Sequence, residues 1–141
     1  MENEIWVLAE GDRAEISEPS LEAICEALDL RKSLKSSVRV VVIGGDVRKA
    51  AEEALAYGVD QVWVVEHKEL ENFDAAQYAS IIHEIGGQTP PAFLLAAQTP
   101  NMLSVAMRLG ALWNCAIVAD MVSLEVQKEG WLKVVQSCLE D

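Results

Sequence analysis

Short apolar runs alternate with helical spacing along most of the chain. The apolar runs are rich in β-branched side chains and end at glycine or charged residues, as buried strands do. Between them, apolar residues recur three and four positions apart, which is the spacing of one helix face. Leu95 lies within the fourth run and is expected to be buried in a central strand. The predicted strands are residues 5–9, 38–43, 61–65, 92–97 and 115–118.

The predicted helices carry local capping signals at their first residues. Ser17 or Glu18 can cap the first helix, Asp46 is placed to cap the second, and Asp74 leads the third. The fourth helix is predicted to begin near Asn101. The apolar face of the first helix is predicted to consist of Leu21, Ile24, Cys25 and Leu28.

Strands that alternate with helices of this length imply right-handed crossovers and a parallel sheet covered on both faces. The predicted fold is therefore a Rossmann-like three-layer α/β/α sandwich. No linker is long enough to mark a boundary, so residues 1–141 are predicted to form one domain.

The pattern changes after Asp120. Residues 121–126 and 131–135 are strand-like and flank a turn at 127–130, which predicts a C-terminal β-hairpin rather than another crossover. One edge of such a hairpin is unpaired unless another chain covers it, and its apolar side chains, among them Trp131, predict an exposed patch. We therefore expect the isolated chain to self-associate through the hairpin.

The charge and the cysteines narrow the classes of function. A formal net charge of −12 opposes binding to nucleic acid or anionic lipid. This negative charge either keeps the protein soluble or steers it electrostatically towards a basic partner. No apolar run approaches the roughly 20 residues that span a bilayer. The three cysteines have no paired spacing, so they are expected to be reduced thiols of a cytoplasmic protein, two of them in the core.

Few residues carry recognisable chemistry. Gly44 and Gly45 follow a strand and open a helix, but they lack the spaced glycines of a dinucleotide fingerprint, so a tight turn is favoured over a phosphate cradle. His67 and His83 have no metal-ligand spacing around them and are interpreted as solvated or capping residues. No nucleophile with its base is recognisable. The sequence predicts a protein that is not an enzyme and binds no cofactor or metal itself.

The loop after the fourth strand is the most site-like segment. Thr99 and Asn101 place a hydroxyl and an amide at a helix N-terminus, where helix capping explains them equally well. Arg108 lies farther along the same helix and either pairs with a carboxylate, faces a partner or is solvated. The candidate interface residues are Thr99, Asn101, Arg108 and Trp131.

Several segments together resemble the N-terminal domain of electron transfer flavoprotein alpha subunits. The opening strand, the second and third strand units, and the segments that follow match in order and spacing over nearly the whole chain. Thr99 and Arg108 match the family, whereas Met102, Leu103 and Ser104 stand where members commonly carry Gly-Arg-Asp. The segments that carry the resemblance are residues 5–10, 45–47, 56–66, 73–79 and 117–120.

The resemblance implies a scaffold and subunit-interface domain that does no redox chemistry itself. It implies FAD in the complete flavoprotein, held by a second alpha-subunit domain and the facing beta subunit, and electron transfer from dehydrogenases. The family's passage into that flavin-binding domain is not in this sequence, so a piece of a longer protein and a stand-alone relative are both open. The alternatives are an adenine-nucleotide-binding module of the universal stress protein type and a homodimer that has kept only the interaction role.

Overall fold

The computed structural model describes residues 4–12, 15–118, 121–126 and 132–136, with side chains for 4–11 and 15–118. The helices are α1 (Glu18–Leu34), α2 (Arg48–Ala56), a 3₁₀ helix (Lys68–Glu71), α3 (Ala75–Ile85) and α4 (Pro100–Trp113). The strands are β1 (Glu4–Ala9), β2 (Gly11–Asp12), β3 (Glu15–Ile16), β4 (Ser37–Gly44), β5 (Gln61–Glu66), β6 (Phe93–Ala96), β7 (Met121–Val126) and β8 (Leu132–Gln136).

Four strands form a parallel sheet in the order β5-β4-β1-β6. In its centre, Val7 lies opposite Val40 on one side and opposite Leu95 on the other. Residues 5–9 of β1 and 40–43 of β4 are continuous apolar runs because helices cover both faces of the sheet. The predicted Rossmann-like α/β/α fold with a mostly parallel sheet is confirmed.

The core has two layers because successive side chains of a strand point to opposite faces. Ile5, Val7 and Val40 are fully buried on the face that α1 and α2 cover. Trp6 and Val41 lie on the opposite face, against α3 and α4. Alternation along β1 and β4 therefore divides the apolar side chains between both layers.

The β6 end of the sheet differs from the prediction. Residues 115–118 are exposed and form no strand, and β6 is the last strand of the described sheet on this side. Leu95 is consequently half-buried in an end strand, and the expectation of a central buried strand was wrong. An apolar run in the sequence can indicate a strand, but the position of that strand in the sheet depends on which other strands pair with it.

At three helices the capping residue is one that the sequence suggested, and at one helix it is not. Ser17, Asp74 and Thr99 each accept a backbone N–H bond at the N-terminus of α1, α3 and α4. The prediction for Asp46 was wrong, because the residue before α2 is Val47, which has no capping side chain. A capping side chain reaches the second or third helical N–H, and Asp46 lies one residue too early to do so.

The face that α1 buries is rotated from the predicted one. Its buried residues are Ser20, Ile24, Ala27 and Leu30, whereas Cys25 is exposed. Ser20 is buried because its hydroxyl oxygen accepts a hydrogen bond from the Glu10 amide at 2.7 Å, which fixes the helix rotation. Cys115 is exposed as well, so the prediction of two core cysteines was wrong.

β7 and β8 pair antiparallel, with a register shift between Met121 and Ser123. The predicted turn at 127–130 and Trp131 lie outside the described residues. The hairpin as a unit, with its proposed apolar patch, therefore stays a prediction.

Candidate functional site

The loops at the carboxyl ends of the parallel strands are where this fold usually binds ligands. Here that edge comprises the residues that follow β1, β4, β5 and β6, together with the N-termini of α1, α2 and α4. Backbone N–H groups at helix N-termini attract anions, including phosphates, when they are free. The acceptors that already bond to these N–H groups therefore determine which ligands this edge can bind.

A carboxylate of the chain itself occupies the N-terminus of α2. Glu66, the last residue of β5, accepts the N–H groups of Val47 at 3.0 Å and Arg48 at 3.1 Å through one oxygen. The guanidinium of Arg48 lies 3.8 Å from its other oxygen. The negative charge complements the positive end of the helix dipole, as a bound phosphate would. Sequence reasoning missed Glu66, whose only signal was its place at the end of a strand.

The Gly-Gly loop after β4 is covered by the 3₁₀ helix. A Cβ atom at Gly45 would collide with the side chain of Glu71 and come within 3.1 Å of its Cα. Glycine is needed here for the close approach of two backbone segments, since Gly45 has no positive φ. The interpretation of this loop as a tight turn agrees with the structure, which fills the space above it with protein.

Glu10 connects α1 and α4 at the end of β1. Its amide donates to the Ser20 hydroxyl oxygen at 2.7 Å, and its carboxylate accepts the Asn101 side-chain amide at 3.2 Å. The Ser17 and Ser20 hydroxyls are 2.8 Å apart. Glu10 thus links a polar side chain at the start of α1 to one at the start of α4.

Tyr78 closes the crevice under α3 and α4. Its hydroxyl donates to the Leu70 carbonyl at 2.9 Å, and the residue is 7 % exposed. Burial raises the pKa of the Tyr78 phenol, and the nearby charge of Glu10 raises it further. The remaining cavity beneath has a volume of about 10 Å³ and mostly apolar walls, too little for more than one water.

The structure brings two of the predicted site residues to the carboxyl edge. Thr99 caps α4 by accepting the Met102 N–H at 3.2 Å, and Asn101 bonds to Glu10. Arg108 is exposed two turns along α4 and forms no ion pair with a described residue. Trp131 lies outside the described residues, so the structure does not assemble the four as a set.

A second cavity, of about 280 Å³, lies at the opposite, amino-terminal edge of the sheet. Arg39 dominates it, and its guanidinium is 2.9 Å from the Glu4 carboxylate and 2.6 Å from the Gln61 side-chain oxygen. The guanidinium carbon also lies 3.8 Å from the ring centroid of Trp63, a cation–π distance. The charge of Arg39 is therefore already matched by neighbouring groups.

Both histidines act as hydrogen-bond acceptors. The Nδ1 atom of His67 accepts the Glu69 amide and caps the 3₁₀ helix, as expected. The Nδ1 atom of His83 accepts the indole N–H of Trp113 at 2.9 Å, which joins α3 to α4. Among the described side chains, no cluster of His, Cys, Asp and Glu could hold a metal ion. No helix within the described ranges is long and apolar enough to cross a membrane.

The fold and this edge define an α/β domain whose usual ligand crevice is filled by its own side chains. The chain matches the model of the electron transfer flavoprotein domain over residues 5–139. It belongs to that family, and the resemblance to the N-terminal domain of the alpha subunit is confirmed.

The chain is similar to several curated proteins, some of which are named as electron transfer flavoprotein subunits. The chain is 26% identical over 129 residues to the electron transfer flavoprotein subunit alpha of Thermoanaerobacterium thermosaccharolyticum, covering 92% of this chain and 39% of the relative. It is 27% identical over 124 residues to the LctC subunit of the NAD- and ferredoxin-dependent lactate dehydrogenase of Acetobacterium woodii, covering 88% and 30%. It is 27% identical over 131 residues to protein FixB of Bradyrhizobium diazoefficiens, covering 91% and 36%. The chain thus spans less than two fifths of each of these relatives.

Proposed function

We propose that this chain is a non-catalytic scaffold and subunit-interface domain of an electron transfer flavoprotein. In that role it supports electron transfer from dehydrogenases through a flavin that is bound elsewhere in the assembly. Family membership over residues 5–139 and the names of the relatives support the electron-transfer part of the proposal. The partners would be a beta subunit and a flavin-binding domain.

The observation that carries the scaffold role is the closed carboxyl edge. Ser17 accepts one N–H group at the start of α1, Thr99 accepts one at the start of α4, and Glu66 accepts two at the start of α2. The carboxylates of Glu10 and Glu66 add negative charge where a phosphate would have to lie. These residues do not fit the diphosphate of FAD, so FAD is assigned to the complete flavoprotein and not to this chain.

The same edge counts against the adenine-nucleotide-binding alternative. A nucleotide-binding module of this architecture needs an open glycine loop next to a free helix N-terminus. Here Glu71 packs on Gly45, and Glu66 takes the first N–H groups of α2. A nucleotide would have to displace both side chains before its phosphates could bind.

Titration and reconstitution test the proposal. The purified chain is expected to be colourless and to give no heat on calorimetric titration with FAD, AMP or ATP. Mixed with a beta subunit and a flavin-binding domain from a relative, it is expected to enter a complex that retains FAD. Stoichiometric flavin on the chain alone, or a micromolar constant for any of the three nucleotides, would overturn the scaffold role.

A further inference from the structure

Residues 88–118 are almost free of charge. Arg108 is the single charged side chain among them, although 24% of the whole chain is charged and its net charge is −12. The segment comprises β6, α4 and the exposed residues 115–118. Two copies of so acidic a protein repel each other through most of their surfaces, and this segment is where that repulsion is weakest.

Of the exposed large apolar side chains of α4, Leu103 and Met107 lie on one flank and Leu112 lies on another. Leu103 and Met107 are four residues apart, hence neighbours on the helix surface, and are 41% and 57% exposed. Ile117 and Val118 extend this flank at 44% and 47% exposure, since Ile117 packs against Gly110. We call Leu103, Met107, Ile117 and Val118 the neutral face.

The neutral face is not the part of α4 that binds the rest of the domain. Met102, Val105 and Leu109 form the buried side of the helix. At 100° per residue, Asn101 lies about 120° around the helix from Met107 and about 160° from Leu103, and it bonds to Glu10 at the end of β1. β6 has β1 on one side and no strand of the described residues on the other. Among the described strands, this edge of β6 is therefore unpaired, and it belongs to the same charge-poor segment.

We propose that the neutral face binds the neutral face of a second copy of this chain, around a two-fold axis. A basic partner would be matched by an acidic surface, which this chain offers elsewhere but not in this segment. A second copy brings the same apolar, uncharged surface, so the contact is self-complementary and buries no carboxylate. This interface is distinct from the predicted self-association through Trp131.

Two substitutions of matched exposure test the interface. Met107→Glu places a charge in the neutral face, whereas Leu55→Glu places the same charge at a 53% exposed apolar residue of α2, on the other side of the sheet. At about 100 μM, sedimentation equilibrium is expected to show a dimer for the parent and for Leu55→Glu and a monomer for Met107→Glu. A monomeric parent, or a dimer that survives Met107→Glu, would overturn the proposal. So would equal dissociation by both variants, since that would reflect net charge alone.

A second pair of substitutions tests the same interface in case an added negative charge disturbs folding. Met107→Lys makes the chain less acidic, so its dissociation to monomer cannot come from general repulsion, and Leu55→Lys is its control. Circular dichroism verifies that each variant is folded. Trp131→Glu distinguishes the neutral face from the hairpin, and this variant is expected to remain a dimer. If Trp131→Glu is a monomer while Met107→Lys remains a dimer, the contact lies in the hairpin and the neutral-face proposal is overturned.

Discussion

The two ends of the sheet hold their elements together in different ways. At the β5 end, charged side chains link separate segments: Arg31 pairs with Asp60 at 3.0 Å, and Glu66 bonds to the start of α2. At the β6 end, residues 88–118 carry one charge, and apolar side chains of α4 remain exposed. Charged side chains thus make contacts within the domain at the β5 end and are nearly absent from the β6 end.

The two ends differ in charge rather than in apolar exposure, because β5 is also an end strand of the described sheet and its Val64 is 42% exposed. Charged pairs that join elements of the same domain satisfy each other and need no partner. Exposed apolar side chains in a segment that carries a single charge are typical of a surface that another polypeptide covers. The following substitutions test whether the contrast is as large as the structure indicates.

The largest effect is expected in the centre of the sheet. Ile5→Ala removes a fully buried side chain of β1 and should lower the free energy of unfolding by about 2–5 kcal/mol. Leu95→Ala in half-buried β6 should cost clearly less, because the side chain is only partly buried and its removal takes away less buried apolar surface. Urea unfolding measures both. Equal losses would mean that β6 is as well covered as β1.

Glu66 tests the polar link at the β5 end. Glu66→Ala removes the acceptor for the Val47 and Arg48 amides and should cost about 1–2 kcal/mol. The control is Asp46→Ala, the residue whose position suggested a cap, which should change stability by less than about 0.5 kcal/mol. Thermal unfolding of both variants shows which of the two substitutions destabilises the protein more. The reverse order would restore Asp46 as the cap and remove Glu66 from that role.

Tyr78 tests the closed crevice between the two ends. Tyr78→Phe leaves the Leu70 carbonyl without its 2.9 Å donor and should cost about 0.5–1.5 kcal/mol. Because burial, and then Glu10, raise the pKa of Tyr78, the neutral phenol stabilises the fold below pH 10.0, and this contribution is lost as the pH rises through the raised pKa. Stability measured at alkaline pH should therefore fall less steeply in the variant, and parallel curves would contradict this role.

The smallest effect is expected at Asp60. The Val38 N–H, 2.7 Å from its carboxylate, lowers the pKa of Asp60 most; burial opposes this, and Arg31 adds to the lowering. The ionised form therefore contributes stability above the ordinary pKa of 3.8, and this contribution is lost as the pH falls through the lowered value. Asp60→Asn should remove part of that acid dependence at a cost below about 1 kcal/mol at neutral pH, since the side chain is 44% exposed. An unchanged acid limb of the stability profile would rule Asp60 out as a contributor.

Capping shows how far the sequence predicts this fold. Ser17, Asp74 and Thr99 were recognisable because a capping side chain bonds to an amide two or three residues ahead. Glu66 was not recognisable because its partners lie 18 and 19 residues before it in the chain. Cys25 was misplaced for a related reason: the rotation of α1 depends on the bond between Ser20 and Glu10, ten residues apart.

The alternation of strands and helices, the parallel sheet and most helix starts could be predicted from the sequence alone, because periodicity and capping act over a few neighbouring residues. Three features depend on the packing of distant segments: the strand at the end of the sheet, the carboxylate at the α2 N-terminus and the apolar side chains of α4 that stay exposed. Asn101 and Glu10 are 91 residues apart, yet the crossovers bring both to the carboxyl edge. Such contacts depend on the packing of whole elements, and no local pattern encodes them.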